Sequence, residues 1–181
     1  MNNLNLHKRR SIRLKEYDYS QPGEYFITIC THNRECLLGG IVDDAIRLSA
    51  IGEIVQRCWD SIPNHFPNVE LDAFVVMPNH VHGIIIINES CRGEVTSPLL
   101  EAATSPLLRK PALGNIVAFF KYQSTKLINE MNRTTGGRFW QRNYFEHVIR
   151  DDKDLQNTQD YIINNPLNWK KDKENPYVTG K

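Results

Sequence analysis

The amino-acid sequence predicts an α+β domain, a four-stranded antiparallel sheet with helices on one face and one further helix at the C-terminal end. Three features carry this reading: an alternating β-former strand, two apolar runs joined by a turn dipeptide, and stretches with apolar residues at three- and four-residue steps. After the turn signal Gln21-Pro22-Gly23, the residues Tyr25-Phe26-Ile27-Thr28-Ile29-Cys30-Thr31 alternate as a buried or half-buried strand. From Asp43, a candidate N-cap, Ala45, Ile46, Leu48, Ile51, Ile54, Val55, Cys58 and Trp59 predict an amphipathic helix that ends before Pro63. Apolar runs over 69–77 and 80–88, separated by Pro78-Asn79, predict a hairpin. Leu113, Ile116, Val117, Phe120, Ser124, Leu127, Ile128 and Met131 mark a second helix stopped by Gly136-Gly137, and FWQRNYFEHVI over 139–149 a fourth strand. In DDKDLQNTQDYIINNP, Asp151 or Asp152 can cap a last helix and Pro166 ends it. The first six elements follow the split βαβ, or ferredoxin-like, order, and the last helix must pack somewhere on that sheet.

With 181 residues, 40% hydrophobic and 24% charged, the chain has the composition of one soluble globular domain. No apolar run is long enough to span a membrane, and the opening MNNLNLHKRRSIRLK lacks the apolar core of a signal peptide, so a cytoplasmic protein is expected. Cys30, Cys36, Cys58 and Cys91 form no CxxC pair, which argues against structural zinc and leaves them as thiols. The net charge of +1 conceals a basic arm, residues 1–20, in which Lys8, Arg9, Arg10, Arg13 and Lys15 stand without an acid in the first fifteen positions. That arm is either a solvated terminus or a contact for a polyanion. Residues 89–111 interrupt the pattern with a repeated TSPLL, at Thr96 and Thr104, and read as a flexible surface insertion. The stretch KKDKENPYVTGK, residues 170–181, reads as a polar, frayed tail.

Two histidines within a run of β-branched residues, VVMPNHVHGIIII over 75–87, need an explanation. On a strand, His80 and His82 project from one side at about 6–7 Å, a spacing that can chelate a metal. A catalytic divalent ion usually has at least one more protein ligand and an open position. Tyr161 and Asn165, at i and i+4 on the last helix, share a helix face, and the Asn165 amide oxygen can ligate beside the Tyr161 phenol. Each also has an ordinary reading: a packed aromatic for Tyr161, a C-terminal cap before Pro166 for Asn165.

Taken jointly, RRSIRLKEYDYS, YFITICTHNRECLLG, VVMPNHVHGIIII, FWQRNYFEHVIRD and DYIINNPLNW resemble the REP-associated tyrosine transposases, relatives of the single-tyrosine HUH transposases of insertion sequences. The resemblance spans nearly the whole chain apart from the 89–111 insertion. It implies a metal-dependent endonuclease and strand transferase acting on single-stranded DNA near palindromic, REP-like hairpins, through a 5′-phosphotyrosine. On that resemblance residues 21–169 are one catalytic domain, the histidine-hydrophobic-histidine motif corresponds to His80-Val81-His82, the nucleophile to Tyr161 and the residue completing the metal site to Asn165.

Oxygen ligation suits Mg²⁺ and the imidazole pair tolerates Mn²⁺, so either divalent cation is expected to serve. Lys8, Arg9, Arg10, Arg13, Lys15, Lys121, Lys126, Arg138 and Arg142 are candidate phosphate contacts, and Trp140, Tyr144 or Tyr17 candidate stacking partners for unpaired bases. His147 and Glu146 are candidate general bases, with ordinary strand hydrogen bonding as the plainer alternative. Oligomeric state is open, with a lean to a monomer. One competing reading is a non-catalytic nucleic-acid-binding module with the same element order, although no RNP-like string occurs. Another, a hydrolase with a histidine nucleophile, is disfavoured by Ile84 at the next position on the histidine face.

Overall fold

The computed structural model describes residues 17–89 and 112–177. Its elements are β1 (Gly23–Cys30), β2 (Gly39–Val42), β3 (Ala45–Leu48), α1 (Ala50–Asp60), α2 (Ile62–His65), β4 (Val69–Val76), β5 (His80–Ile87), α3 (Leu113–Asn132), β6 (Phe145–Ile149) and α4 (Asp152–Ile163). The main sheet runs β4-β5-β1-β6 with every neighbouring pair antiparallel. This is the α+β, ferredoxin-like architecture expected from the sequence.

Strand alternation divides the molecule into two faces. Tyr25, Ile27 and Ile29 of β1 and Val81, Ile85 and Ile87 of β5 join Ile54, Val55 and Trp59 of α1 and Ile116, Val117 and Phe120 of α3 in the larger core. Phe26 of β1 and Ile84 of β5 face the other way, where Ile149, Leu155 and Ile162 cover them beneath α4. Gly83 sits where a side chain cannot: a Cβ there would lie 2.5 Å from the Trp59 ring, which stacks on Phe74 at 4.2 Å between centroids. The residue between His82 and Ile84 is therefore kept small by the core on the opposite face.

The expected helix from Asp43 is corrected. Asp43 and Asp44 have φ of 51° and 58° and turn a two-stranded ribbon, β2 on β3, in which Gly39 pairs with Leu48 and Val42 with Ala45. Two consecutive left-handed residues are what a tight hairpin turn requires, and Asp tolerates that conformation better than most side chains. The real helix start is Ser49, whose hydroxyl accepts from Gly52 N at 3.1 Å. The expected strand over 139–149 is shorter, 145–149: Trp140 makes only an isolated bridge to Thr31, and the Lys121 ammonium donates to Gln141 O (2.6 Å) and Arg142 O (3.2 Å). The insertion falls outside the described residues from 90 to 111.

α4 is held at three points. Asp151 is its N-cap, accepting from Asp154 N at 2.9 Å; Asp154 in turn meets His147 Nε2 of β6 at 2.8 Å; and Gln159 Nε2 donates to Asp72 Oδ2 of β4 at 2.6 Å. Beyond a 3-10 turn at Pro166–Lys171 the chain does not fray as the sequence suggested, as far as Tyr177. Asn175 Nδ2 donates to Trp169 O at 2.9 Å, Arg34 pairs with Glu174 at 3.0 Å, and Asn79 Nδ2 reaches Glu174 O at 2.7 Å. No helix among the described residues is long and apolar enough to cross a membrane.

Candidate active site

His80 and His82 begin β5 and point to the α4 face, opposite Cys30 and Thr28 of β1 in the antiparallel register. Both are essentially fully buried, at 0% and 1% exposure. Burial holds both imidazoles toward the neutral form; the positive charges of Arg34 and Lys173 add to this at His80, where Asp172 opposes it, and the charge of His80 and of Lys173 adds to it at His82. Neutral imidazole is the metal-binding form.

The Nδ1 atoms are already engaged. His80 Nδ1 lies 2.8 Å from Asn79 Oδ1, and His82 Nδ1 lies 2.8 Å from Thr28 Oγ1. Since Asn79 uses its Nδ2 to donate to Arg34 O (3.0 Å) and Glu174 O (2.7 Å), its Oδ1 can only accept, and His80 must carry its proton on Nδ1. The His80 Nε2 lone pair then faces His82 Nε2 at 3.0 Å. Two nitrogens held this close share one proton or a cation.

Tyr161, on α4 and 44% exposed, places its hydroxyl 3.4 Å from His82 Nε2. Its ring stands edge-on to His82 and to Phe26, with centroids at 5.1 Å and 6.0 Å. Burial raises the phenol pKa above its ordinary value, Asp172 and Glu174 raise it further, and a hydrogen bond from Asn165 works against them. Asn165 is 2% exposed, and its buried Oδ1 has no hydrogen-bond partner among the described residues. The C-cap of α4 is Asn164; Asn165 lies just beyond it as the N-cap residue of the 3-10 turn, where its side chain makes no cap hydrogen bond. A buried amide oxygen without a donor normally costs about 1–3 kcal/mol, and a cation would remove that cost.

One group went unforeseen in the sequence. Asp172 places a carboxylate oxygen 3.7 Å from His80 Nε2, and the ligating atoms of His80, His82 and Asp172 lie within 4.8 Å of one another. Two imidazole nitrogens and a carboxylate oxygen this close together are a donor set that can hold a metal ion. Asp172 is ninety residues beyond His82 in a stretch without periodicity, and only the tail's fold brings it back. Thr28 and Asn79, which orient the imidazoles, also carried no signal beyond their strand and turn propensities.

Other expected residues are placed differently. His147 pairs with Asp154 at the start of α4, two turns before Tyr161, and Glu146 is buried on the other side of β6, so neither is placed as a base for the phenol. Trp140 is buried with Nε1 donating to Ser124 Oγ at 2.9 Å, which corrects its reading as a base-stacking group; Tyr17 and Tyr144 are half-buried against the larger core. Lys121, Lys126, Arg138 and Arg142 line one groove beside α3, away from the histidines. Lys8, Arg9, Arg10, Arg13 and Lys15 lie outside the described residues.

The paired histidines of β5 thus face the tyrosine-bearing α4 across one side of a ferredoxin-like sheet. A protein of Haemophilus influenzae, described only as uncharacterized, is 45% identical over 173 residues, covering 94% of both chains. A second from the same organism, described as a REP-associated tyrosine transposase, is 27% identical over 158 residues, or 83% of this chain and 73% of that one. A solved REP-associated tyrosine transposase bound to a REP hairpin superposes with a TM-score of 0.58 at 21% identity, covering 86% of this chain and 72% of the other. No family model matches. The chain belongs to one family with its 45%-identical relative, and its sequence and fold relate it to the REP-associated tyrosine transposases.

Proposed function

We propose that the protein is a transposase-like DNA-processing enzyme that breaks and rejoins single-stranded DNA beside palindromic, REP-like hairpins, using Tyr161 as nucleophile. The observation that carries this is the Tyr161 hydroxyl 3.4 Å from His82 Nε2, which itself lies 3.0 Å from His80 Nε2. His80, His82 and Asn165 would hold a Mg²⁺ or Mn²⁺ ion, with Asp172 within reach of the same position. When bound, that cation supplies charge neutralisation to a phosphodiester and orients it for in-line attack.

The chain's own residues set the remaining terms. An ordinary phenol costs about 4 kcal/mol to ionise at pH 7, and burial beside two carboxylates adds to this at Tyr161. The Asn165 amide favours the ionised phenol from one helical turn away. Phe26, edge-on to the phenol ring and stacked on His82 at 5.4 Å, keeps the oxygen near the imidazoles. Attack of Tyr161 Oη on phosphorus forms the Tyr–O–P bond and breaks the P–O3′ bond; the phenolic proton is lost and the departing 3′ oxygen gains one, leaving a 5′-phosphotyrosine and a free 3′-hydroxyl. The stored ester lets a second 3′-hydroxyl rejoin the strand by the reverse displacement.

The test is Tyr161→Phe incubated with hairpin oligonucleotides from the DNA flanking the gene, in Mn²⁺. Hairpin binding is expected to persist while cleavage and the protein-DNA adduct disappear. Cleavage at the wild-type rate would remove Tyr161 as nucleophile, and hairpin binding without cleavage by the wild type would favour a binding protein.

A further inference from the structure

The register of the main sheet sets two neighbouring rows of side chains on the face that α4 covers. One row is Val75, His82, Thr28 and Phe145, from β4 through β5 and β1 to β6, and it carries the imidazole that meets the Tyr161 hydroxyl. The row beside it runs through Ile84 of β5, Phe26 of β1 and His147 of β6. Its β4 end is irregular. Pairing passes from Leu71 opposite Ile85 to Phe74 opposite Gly83, so two residues, Asp72 and Ala73, stand against Ile84 alone. A bulge of this kind re-aims a side chain, and bulges are over-represented next to active sites.

α4 lies along this second row. Ile162 packs with Ile84 and Phe26, and a polar contact holds the helix at each edge of the sheet: Asp154 meets His147 Nε2 at 2.8 Å on β6, and Gln159 Nε2 donates to Asp72 Oδ2 at 2.6 Å on β4. Asp72 is itself braced, because its Oδ1 accepts from Ala73 N at 2.7 Å within the bulge. The apolar contacts of Leu155 and Ile162 keep α4 on the sheet but have no preferred direction, whereas a short hydrogen bond fixes an angle. Gln159 and Tyr161 stand about 200° apart around the helix, so a grip on one flank sets where the other points. A helix with its side chains is about 10–12 Å across, and a roll of about 20° carries its rim about 2 Å. Misplacing a reacting group by about 1 Å can cost about 10²-fold in rate.

We propose that Asp72 is a positioning residue for the nucleophile: held out by the β4 bulge, it grips Gln159 and sets the roll of α4 that keeps the Tyr161 oxygen at His82. The inference rests on the reading of Tyr161 given above. Asp72 acts through the helix, and neither the DNA nor a cation is its partner in this role.

The experiment follows single-turnover adduct formation by the full chain on a hairpin oligonucleotide from the DNA flanking the gene, in Mn²⁺, over a range of hairpin concentrations. Asp72→Ala and Gln159→Leu are each expected to lower the rate at saturating hairpin about 10- to 100-fold, while hairpin and Mn²⁺ affinities stay within about twofold. The double variant should be no slower than the slower single one, because the two residues act as one pair. Gln159→Glu sets two carboxylates against each other and should also be slow. Asp72→Asn/Gln159→Glu exchanges donor for acceptor while leaving an acceptor for Ala73 N, and should recover most of the rate. Thermal unfolding reports that each variant is folded at the assay temperature, and the exchanged pair decides the matter even where an alanine variant is not. A wild-type rate in folded Asp72→Ala, losses that multiply in the double variant, or no recovery in the exchanged pair would overturn the inference. So would a parallel loss of hairpin or Mn²⁺ affinity, the mark of a merely structural role. A wild-type chain that binds the hairpin and forms no adduct would instead overturn the reading of Tyr161, and the inference with it.

Discussion

Asn79 shows how much a single side chain can fix. It fills three roles while fully buried: its amide nitrogen closes two backbone carbonyls, from Arg34 and from Glu174, and its oxygen sets the tautomer of His80. Asn79→Ala leaves these groups without partners, each at about 1–3 kcal/mol. We expect a fall of about 3 kcal/mol in unfolding free energy by urea titration, and a 10- to 100-fold loss of Mn²⁺ affinity by calorimetry, the usual effect of removing an outer partner of a metal-ligating histidine. Thr28→Val should act on the metal alone, because it keeps the volume and removes only the oxygen facing His82 Nδ1. Of this residue layer, the common face of His80 and His82 was legible because strand alternation is a local rule, whereas the helix carrying Tyr161 ends at Ile163, two residues short of Asn165. Thr28 became meaningful only through its register opposite His82, and Asp172 only through the folded tail.

At the scale of elements, α4 positions the phenol, and its N-terminal half has few apolar anchors. Its attachment runs through the Asp151 cap, the His147–Asp154 contact and the Gln159–Asp72 hydrogen bond. Asp151→Ala is expected to cost about 0.5–2 kcal/mol and to slow adduct formation while leaving hairpin binding intact, as read by thermal unfolding and by single-turnover cleavage. Gly83→Ala should be worse for the fold than for the chemistry: a methyl group directed into Trp59 should destabilise by about 1–3 kcal/mol, seen as a lowered melting temperature. Helix and strand patterns were legible where one period ran long, as in α3 and β5. They failed at 43–48, where Ile46 and Leu48 fit both a helical step and a strand alternation, and the paired aspartates in left-handed conformation chose the strand.

For the molecule as a whole, the site draws on three separated parts of the chain: β5 in the centre of the sheet, α4 on one face, and the tail that returns past Arg34 with Asp172 and Glu174. A cation shared among them would tie those parts together, so its binding should appear as global stability. At one hundred times its dissociation constant, Mn²⁺ should add about 2.7 kcal/mol, raising the melting temperature of the wild type and reversing with a chelator. His80→Ala/His82→Ala should show no such rise. The fold class was legible because element order and sheet pairing follow from local patterning, whereas closure of the tail over the site depends on contacts nearly a hundred residues apart.

The most direct measurement is anomalous diffraction from crystals soaked in Mn²⁺. One strong peak is expected within coordination distance of both His80 Nε2 and His82 Nε2, on the side facing Asn165 Oδ1 and the Tyr161 hydroxyl. A saturated, folded crystal with no peak there, or with manganese bound only elsewhere, would contradict it.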